Sequence, residues 1–275
     1  MFGINKILKQ AWGITKTNKF LYLFGLFLVW GNVINFALVW FNDNQAQANP
    51  QNSSNVEGIV GLIILISFIF LYFRSKAGLI IAIKALIDKQ QTSFRKAFSV
   101  SRLFYSRILS ISVIILSVLI LLVWVLAVPV NYFYIHENII AAWSLGIFGS
   151  LIFIPAALVI LLVNILSQMF VAIFDLTLKE AASKSFDLIS MHWLKLVLFG
   201  FLLLVFEILP VVFLQILAYY IHGLMWSFIV LILFFCIEIV IVTFNQAAWV
   251  LLFLELIKPQ KLDEEVVIAP EIAGG

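Results

Sequence analysis

The chain has 275 residues, of which 64% are hydrophobic and 11% charged, against about 45–50% and about 25% in soluble domains. That leaves too little polar side chain to coat a water-soluble globule, so lipid must cover part of the surface. A formal charge of +3 is too small for binding to a phosphate backbone. The single cysteine, Cys236, excludes an intramolecular disulfide and a cysteine-rich metal site.

A helix crosses the hydrocarbon core of a bilayer with about 20 mostly apolar residues. The N-terminal arm, with Lys6, Lys9, Lys16 and Lys19, leads into the first such stretch at residues 20–41. No small-residue cleavage site of the A-x-A type follows it, so a retained helix is expected rather than a signal peptide. The polar stretch 42–57 contains Asn52-Ser53-Ser54, which fits a glycosylation acceptor. The second span starts near Gly58 and stays uncharged until Arg74. The third is expected over 108–130, ended by Pro129 and Asn131, and the fourth runs from about Ala142 to Asp175. The fifth covers 196–219 and the sixth 226–254. Runs such as 114–128 lack the apolar–polar alternation of a membrane barrel strand. The fold class expected is all-α, a polytopic membrane bundle of six transmembrane helices.

Basic residues set the orientation of such a chain. All 17 lie in the N-terminal arm, between spans two and three, between spans four and five, or in the tail. Both termini are therefore expected on the cytoplasmic side. Trp40, Tyr132, Tyr134, Trp143, Tyr219, Tyr220 and Trp226 then fall at the external ends, and Trp12 and Trp193 at the internal face, as aromatic anchors should.

A short pattern recurs three times: Leu8-Lys9-Gln10-Ala11, Phe94-Arg95-Lys96-Ala97 and Leu178-Lys179-Glu180-Ala181. Ala97, Ser99, Ser101 and Ser106 match Ala181, Ser183, Ser185 and Ser190 without a gap. Each copy precedes a pair of spans. The bundle thus reads as three repeats of a cytoplasmic amphipathic helix plus a transmembrane hairpin, with bounds near 1–90, 91–175 and 176–257. The spans form one domain over 1–257, and the acidic tail 258–275 is expected to be disordered.

The cytoplasmic segments carry their own signals. Thr177 and Glu180 have the spacing of a capping box, and Ser93 is placed to cap the second copy. Residues 93–109 and 177–193 are expected to form equivalent helices. Arg95, Lys96, Arg102 and Arg107 lie beside an apolar stripe of Phe94, Phe98, Leu103 and Phe104. These four cations are candidate contacts to lipid headgroups. The other reading is a helix that plugs the cytoplasmic mouth of its own bundle.

Each inward span holds polar residues about two-thirds along: Arg74 and Lys76, then Asn164 and Gln168, then Asn245 and Gln246. In one reading the helices leave the hydrocarbon there, with Arg74 and Lys76 reaching headgroups and the apolar extensions packing on the amphipathic helices. In the other, a shared polar chamber admits a ligand. Glu207 and Glu238 are the acidic residues well inside spans, and counting from the span starts puts both near mid-membrane depth. Together with Asn164, Gln168, Asn245 and Gln246 they form the candidate intramembrane polar site. Its two readings are a proton or cation site and a set of hydrogen bonds that lock helix packing.

The stretch Leu178-Lys179-Glu180-Ala181, Ser185, Leu188 and His192-Trp193 ahead of an apolar span resembles the membrane domain attached to bacterial glycerophosphodiester phosphodiesterases. It is similar also to stand-alone bacterial inner-membrane proteins made of that domain. The likeness covers about 40 residues. Catalysis in those enzymes belongs to a separate soluble barrel. The resemblance therefore implies a bacterial inner-membrane location, no phosphodiesterase activity of this chain and no functional residues to carry over.

No G-x-x-x-x-G-K, G-x-G-x-x-G, H-E-x-x-H or G-x-S-x-G motif occurs, and His136, His192 and His222 lie far apart. No enzyme activity, cofactor or metal is expected. The function expected is that of a non-catalytic membrane protein acting through lipid or protein contacts in the cell envelope, with a small transporter or channel using intramembrane carboxylates as the alternative. Membrane lipids are the expected partners, a protein partner or a second copy of the chain is left open, and nucleic acid is excluded.

Overall fold

A computed structural model describes residues 3–30, 55–220 and 224–257, with side-chain surroundings for 3–30, 66–213, 216 and 229–257. All regular structure among the described residues is helical: α1 (Ile4–Thr17), α2 (Leu21–Trp30), α3 (Asn55–Ile87), α4 (Phe94–Val100), a 3-10 turn (Ser101–Leu103), α5 (Tyr105–Ile135), α6 (Ile139–Phe174), α7 (Leu178–Tyr220) and α8 (Leu224–Ile257). The protein is an all-α helical bundle. Among the described residues five helices, within α3 and α5 to α8, are long and apolar enough to cross a membrane. It is a multi-pass membrane protein. The outer part of the first expected span, the Asn52-Ser53-Ser54 site and the tail 258–275 lie outside the described residues.

The helices form two compact units. One comprises the described residues of Met1–Tyr105 and Phe199–Glu265, the other those of Ser106–Leu198. In the first, α1 turns Ile7, Ala11 and Thr15 inward at helical spacing and leaves Lys6, Lys9 and Lys16 exposed. This amphipathic helix packs on α8, where Trp12 meets Phe244 edge-on at 6.2 Å. In α2, Leu21, Phe24 and Leu28 form a buried stripe. Gly25 lets the helix approach α8 closely, since a Cβ there would lie 2.9 Å from the Ile239 carbonyl oxygen and overlap Thr243. The α3 helix packs on both α4 and α8. Its Gly78 makes room for Phe24, whose ring lies tilted against Phe94 and Phe98 of α4 at 4.6 and 6.5 Å.

In the second unit burial concentrates in the last third of α6, over Leu162, Val163, Leu166, Met169, Phe170 and Val171. Ala181, Leu188 and Leu196 of α7 are buried as well. Ser167 of α6 lies 3.0 Å from Ser185 of α7 and donates towards the Ala181 carbonyl at 3.4 Å, with both serines fully buried. By contrast, Leu116, Leu121, Trp124 and Val125 of α5 and Phe148, Leu151 and Ile152 of α6 are more than half exposed, a surface suited to acyl chains.

The local start signals operate as the sequence indicates. Thr177 donates from its backbone N–H and its hydroxyl to Glu180 at 3.1 and 2.8 Å, and its hydroxyl accepts from the Glu180 N–H at 3.4 Å. Ser93 accepts from the Lys96 N–H at 3.4 Å.

Several boundaries differ from expectation. Pro129 does not end the third span, because α5 continues to Ile135. One lost backbone donor is tolerated within a long membrane helix. The third cytoplasmic helix and the fifth span are one continuous element, α7, bent at His192 (φ −132°, ψ 22°). Segments 93–109 and 177–193 are both helical at their start but differ in length, as α4 stops after seven residues. The Phe98 carbonyl, which the Arg102 N–H would use if the helix continued, accepts instead from Arg74 at 3.3 Å and from the Ser101 hydroxyl at 2.8 Å.

Candidate functional site

Polar side chains inside a membrane helix must find partners or line a site, because hydrocarbon supplies none. In the second unit Gln168 donates its Nε2 to Ser112 Oγ at 2.9 Å and to Asn164 Oδ1 at 2.7 Å. Ser112 also donates to Asn164 at 3.5 Å. The two sequence candidates on α6 are thus tied to each other and to α5. Gln168 is 1% exposed, and its Oε1 has no hydrogen-bond partner among the described residues. Ser112 carries no sequence signal, since a lone serine costs an apolar span little.

In the first unit Asn245 Nδ2 donates to Glu207 Oε2 at 3.3 Å, joining α8 to α7. Asn245 is 9% exposed, and its Oδ1 lacks a hydrogen-bond partner among the described residues. Glu207 itself is exposed, Glu238 is buried and Gln246 is half-buried. Placing Glu207 opposite Glu238 by residue counting is therefore corrected. Glu207 meets Asn245, seven residues further along α8, which puts Glu238 about 10 Å nearer the start of that helix at 1.5 Å per residue. Counting fails because α7 carries no boundary at Leu196 from which depth could be measured.

The polar pair on α3 splits in two. Arg74 does not extend to the surface: it hydrogen-bonds the Phe98 carbonyl and lies over the Phe98 ring at 4.1 Å and near the Phe70 ring at 5.8 Å. It fastens α4 to α3. Lys76 lies 6.0 Å from the centre of the Tyr72 ring and makes no hydrogen bond or ion pair among the described residues. Ser75 is fully buried, with its hydroxyl unpartnered among the described residues. Tyr72, Ser75 and Lys76 share one face of α3 at helical spacing i, i+3, i+4.

The candidate headgroup cations fall in two groups. Arg95, Lys96 and Arg102 are exposed. Arg107, half-buried, pairs with Asp175 at 2.6 Å and so ties the start of α5 to the end of α6. Cys236 is exposed on α8. No cluster of three or more metal-ligating side chains exists among the described residues.

No protein-family model, curated protein or solved structure matches the chain. Its function must be read from its own geometry.

Proposed function

We propose that the protein is a non-catalytic component of the cell envelope that works through contacts with lipid headgroups. The observation that carries this is the division of α4. Ala97 and the following Ser101 are buried, while Arg95, Lys96 and Arg102 project to solvent beside an exposed Leu103. A basic face with an apolar side chain at its edge suits the boundary between headgroups and acyl chains of anionic lipid. The exposed Lys6, Lys9 and Lys16 of α1 extend the same chemistry to a second short helix.

On this reading the basic helices face the cytoplasm, six spans place both termini there, and the membrane is a bacterial inner membrane. The likeness of residues 178–193 to the membrane domain of glycerophosphodiester phosphodiesterases is in keeping with that location. So is the threefold repeat. Ala11, Ala97 and Ala181 are all buried, on helices that pack against α8, α3 and α6 respectively.

Spin-labelled phosphatidylglycerol and phosphatidylcholine, compared by electron paramagnetic resonance around the reconstituted protein, test the proposal. Preference for phosphatidylglycerol should fall with added salt, and should be lost in the Arg95→Gln, Lys96→Gln, Arg102→Gln triple variant. A preference unchanged in that variant would refute it.

A further inference from the structure

The first unit holds a second polar assembly within its spans, with Ser75 and Asn245 buried, that the surface cations do not explain. On α3, Tyr72, Ser75 and Lys76 present a hydroxyl, a hydroxyl and an ammonium along one face. Neither Ser75 Oγ nor the Lys76 ammonium has a hydrogen-bond partner among the described residues. This helix packs on α8, whose Asn245 binds the Glu207 carboxylate of α7 and keeps its own Oδ1 unpartnered among the described residues. Through Asn245 the Glu207 carboxylate is held on the helix that packs against α3. The result is a donor face with a cation on α3, and a carboxylate with a free carbonyl oxygen on α7 and α8. Lys76 and Glu207 are not paired with each other. A lone charge in a span is costly, and opposite charges close together would relieve that cost by pairing. Charges held apart, with unpartnered groups beside each, suit a ligand that carries both signs.

We propose that Tyr72, Ser75, Lys76, Glu207 and Asn245 bind a zwitterionic phosphate–ammonium group, the chemistry of an ethanolamine phospholipid headgroup or of its free soluble form. The phosphate accepts from Ser75 and Lys76. The ammonium donates to Glu207 and to Asn245 Oδ1. This site is independent of the α4 cations, and its specificity differs, since surface cations favour a net anion and make no use of an ammonium.

Native mass spectrometry of the purified full chain tests it. The protein is offered equal amounts of phosphatidylethanolamine and phosphatidylglycerol with matched acyl chains. Wild type should retain phosphatidylethanolamine in preference by about tenfold, the scale of one charge-assisted hydrogen bond. Glu207→Gln should abolish the preference while leaving phosphatidylglycerol bound. Lys76→Met should weaken both lipids alike. Lys76→Arg, which keeps the charge, should retain binding and guards against misfolding of the Met variant. Displacement of the lipid by free phosphoethanolamine at similar concentration would identify the soluble form as the ligand, and resistance to it would identify the lipid. Equal retention of the two lipids by wild type, or a preference unaltered in Glu207→Gln, would overturn the proposal.

Discussion

Arg74 shows how a distant side chain can help to end a helix. Its guanidinium donates to the Phe98 carbonyl and stacks on the Phe98 ring, so the same residue supplies the termination and the adhesion of α4. A lysine cannot reproduce both, since its ammonium lacks the planar fork and the flat face. Arg74→Lys and Arg74→Met should both lower thermal stability, by about 1–3 kcal/mol for a charge-assisted hydrogen bond and its ring contact. Hydrogen exchange should rise over residues 94–103, and protection equal to wild type would rule the role out. A second prediction lies at the left-handed residues Lys89 (φ 58°) and Glu137 (φ 57°). Each sits where the next N–H turns back five residues: Gln90 to the Ala85 carbonyl at 2.9 Å and Asn138 to the Phe133 carbonyl at 3.0 Å. Glycine meets no Cβ penalty in that conformation. Lys89→Gly and Glu137→Gly should therefore stabilise the protein by roughly 0.5–1 kcal/mol, and a fall in melting temperature for either would contradict this reading of the turns.

Beside their aromatic contacts, helix pairs here meet through small residues and paired hydroxyls, the packing that suits helices without a hydrophobic drive to associate. Gly25→Ala puts a methyl against the Ile239 carbonyl, a backbone atom that cannot swing aside. It should cost about 1–3 kcal/mol, as overpacking does. Substitution of Gly13, with open space around it, serves as the control, and equal effects at the two sites would refute the close approach of α2 and α8. Ser167 and Ser185 share one hydrogen-bonded contact between α6 and α7. In a double-mutant cycle, Ser167→Ala and Ser185→Ala should couple by about 0.6 kcal/mol, the average for such bonds in membranes. Additive losses would place their partners elsewhere. What could be read in the sequence at this scale was whatever is settled nearby. Thr177 with Glu180 and Ser93 with Lys96 are three residues apart, so pattern alone located them. The early end of α4 depends on Arg74, 24 residues away. The binding of Gln168 to Ser112 depends on a contact 56 residues distant. Asn164 and Gln168 were legible as unusual residues in an apolar run, but their partner was not. The register of Glu207 against Asn245 likewise follows from how α7 and α8 slide past each other, which residue counting does not fix.

For the whole molecule, hydropathy and the placement of lysine and arginine make a single testable map. Reporter fusions after residues 48, 90, 136, 180, 222 and 262 should alternate between outside and inside. Two neighbouring fusions on the same side would remove a span. The α5–α6 hairpin has a further property. At 1.5 Å per residue, α5, with 31 residues, is about 46 Å long, while the hydrocarbon it crosses is about 30 Å thick. Its polar ties, Arg107 to Asp175 and Ser112 to Gln168, all lie near the start of α5 and the end of α6. The far half leaves most of its side chains exposed. A rod clamped at one end and longer than the film it crosses is a gauge of film thickness: the hairpin should stand upright in a thick bilayer and lean in a thin one, carrying that change of angle to the clamp at its base.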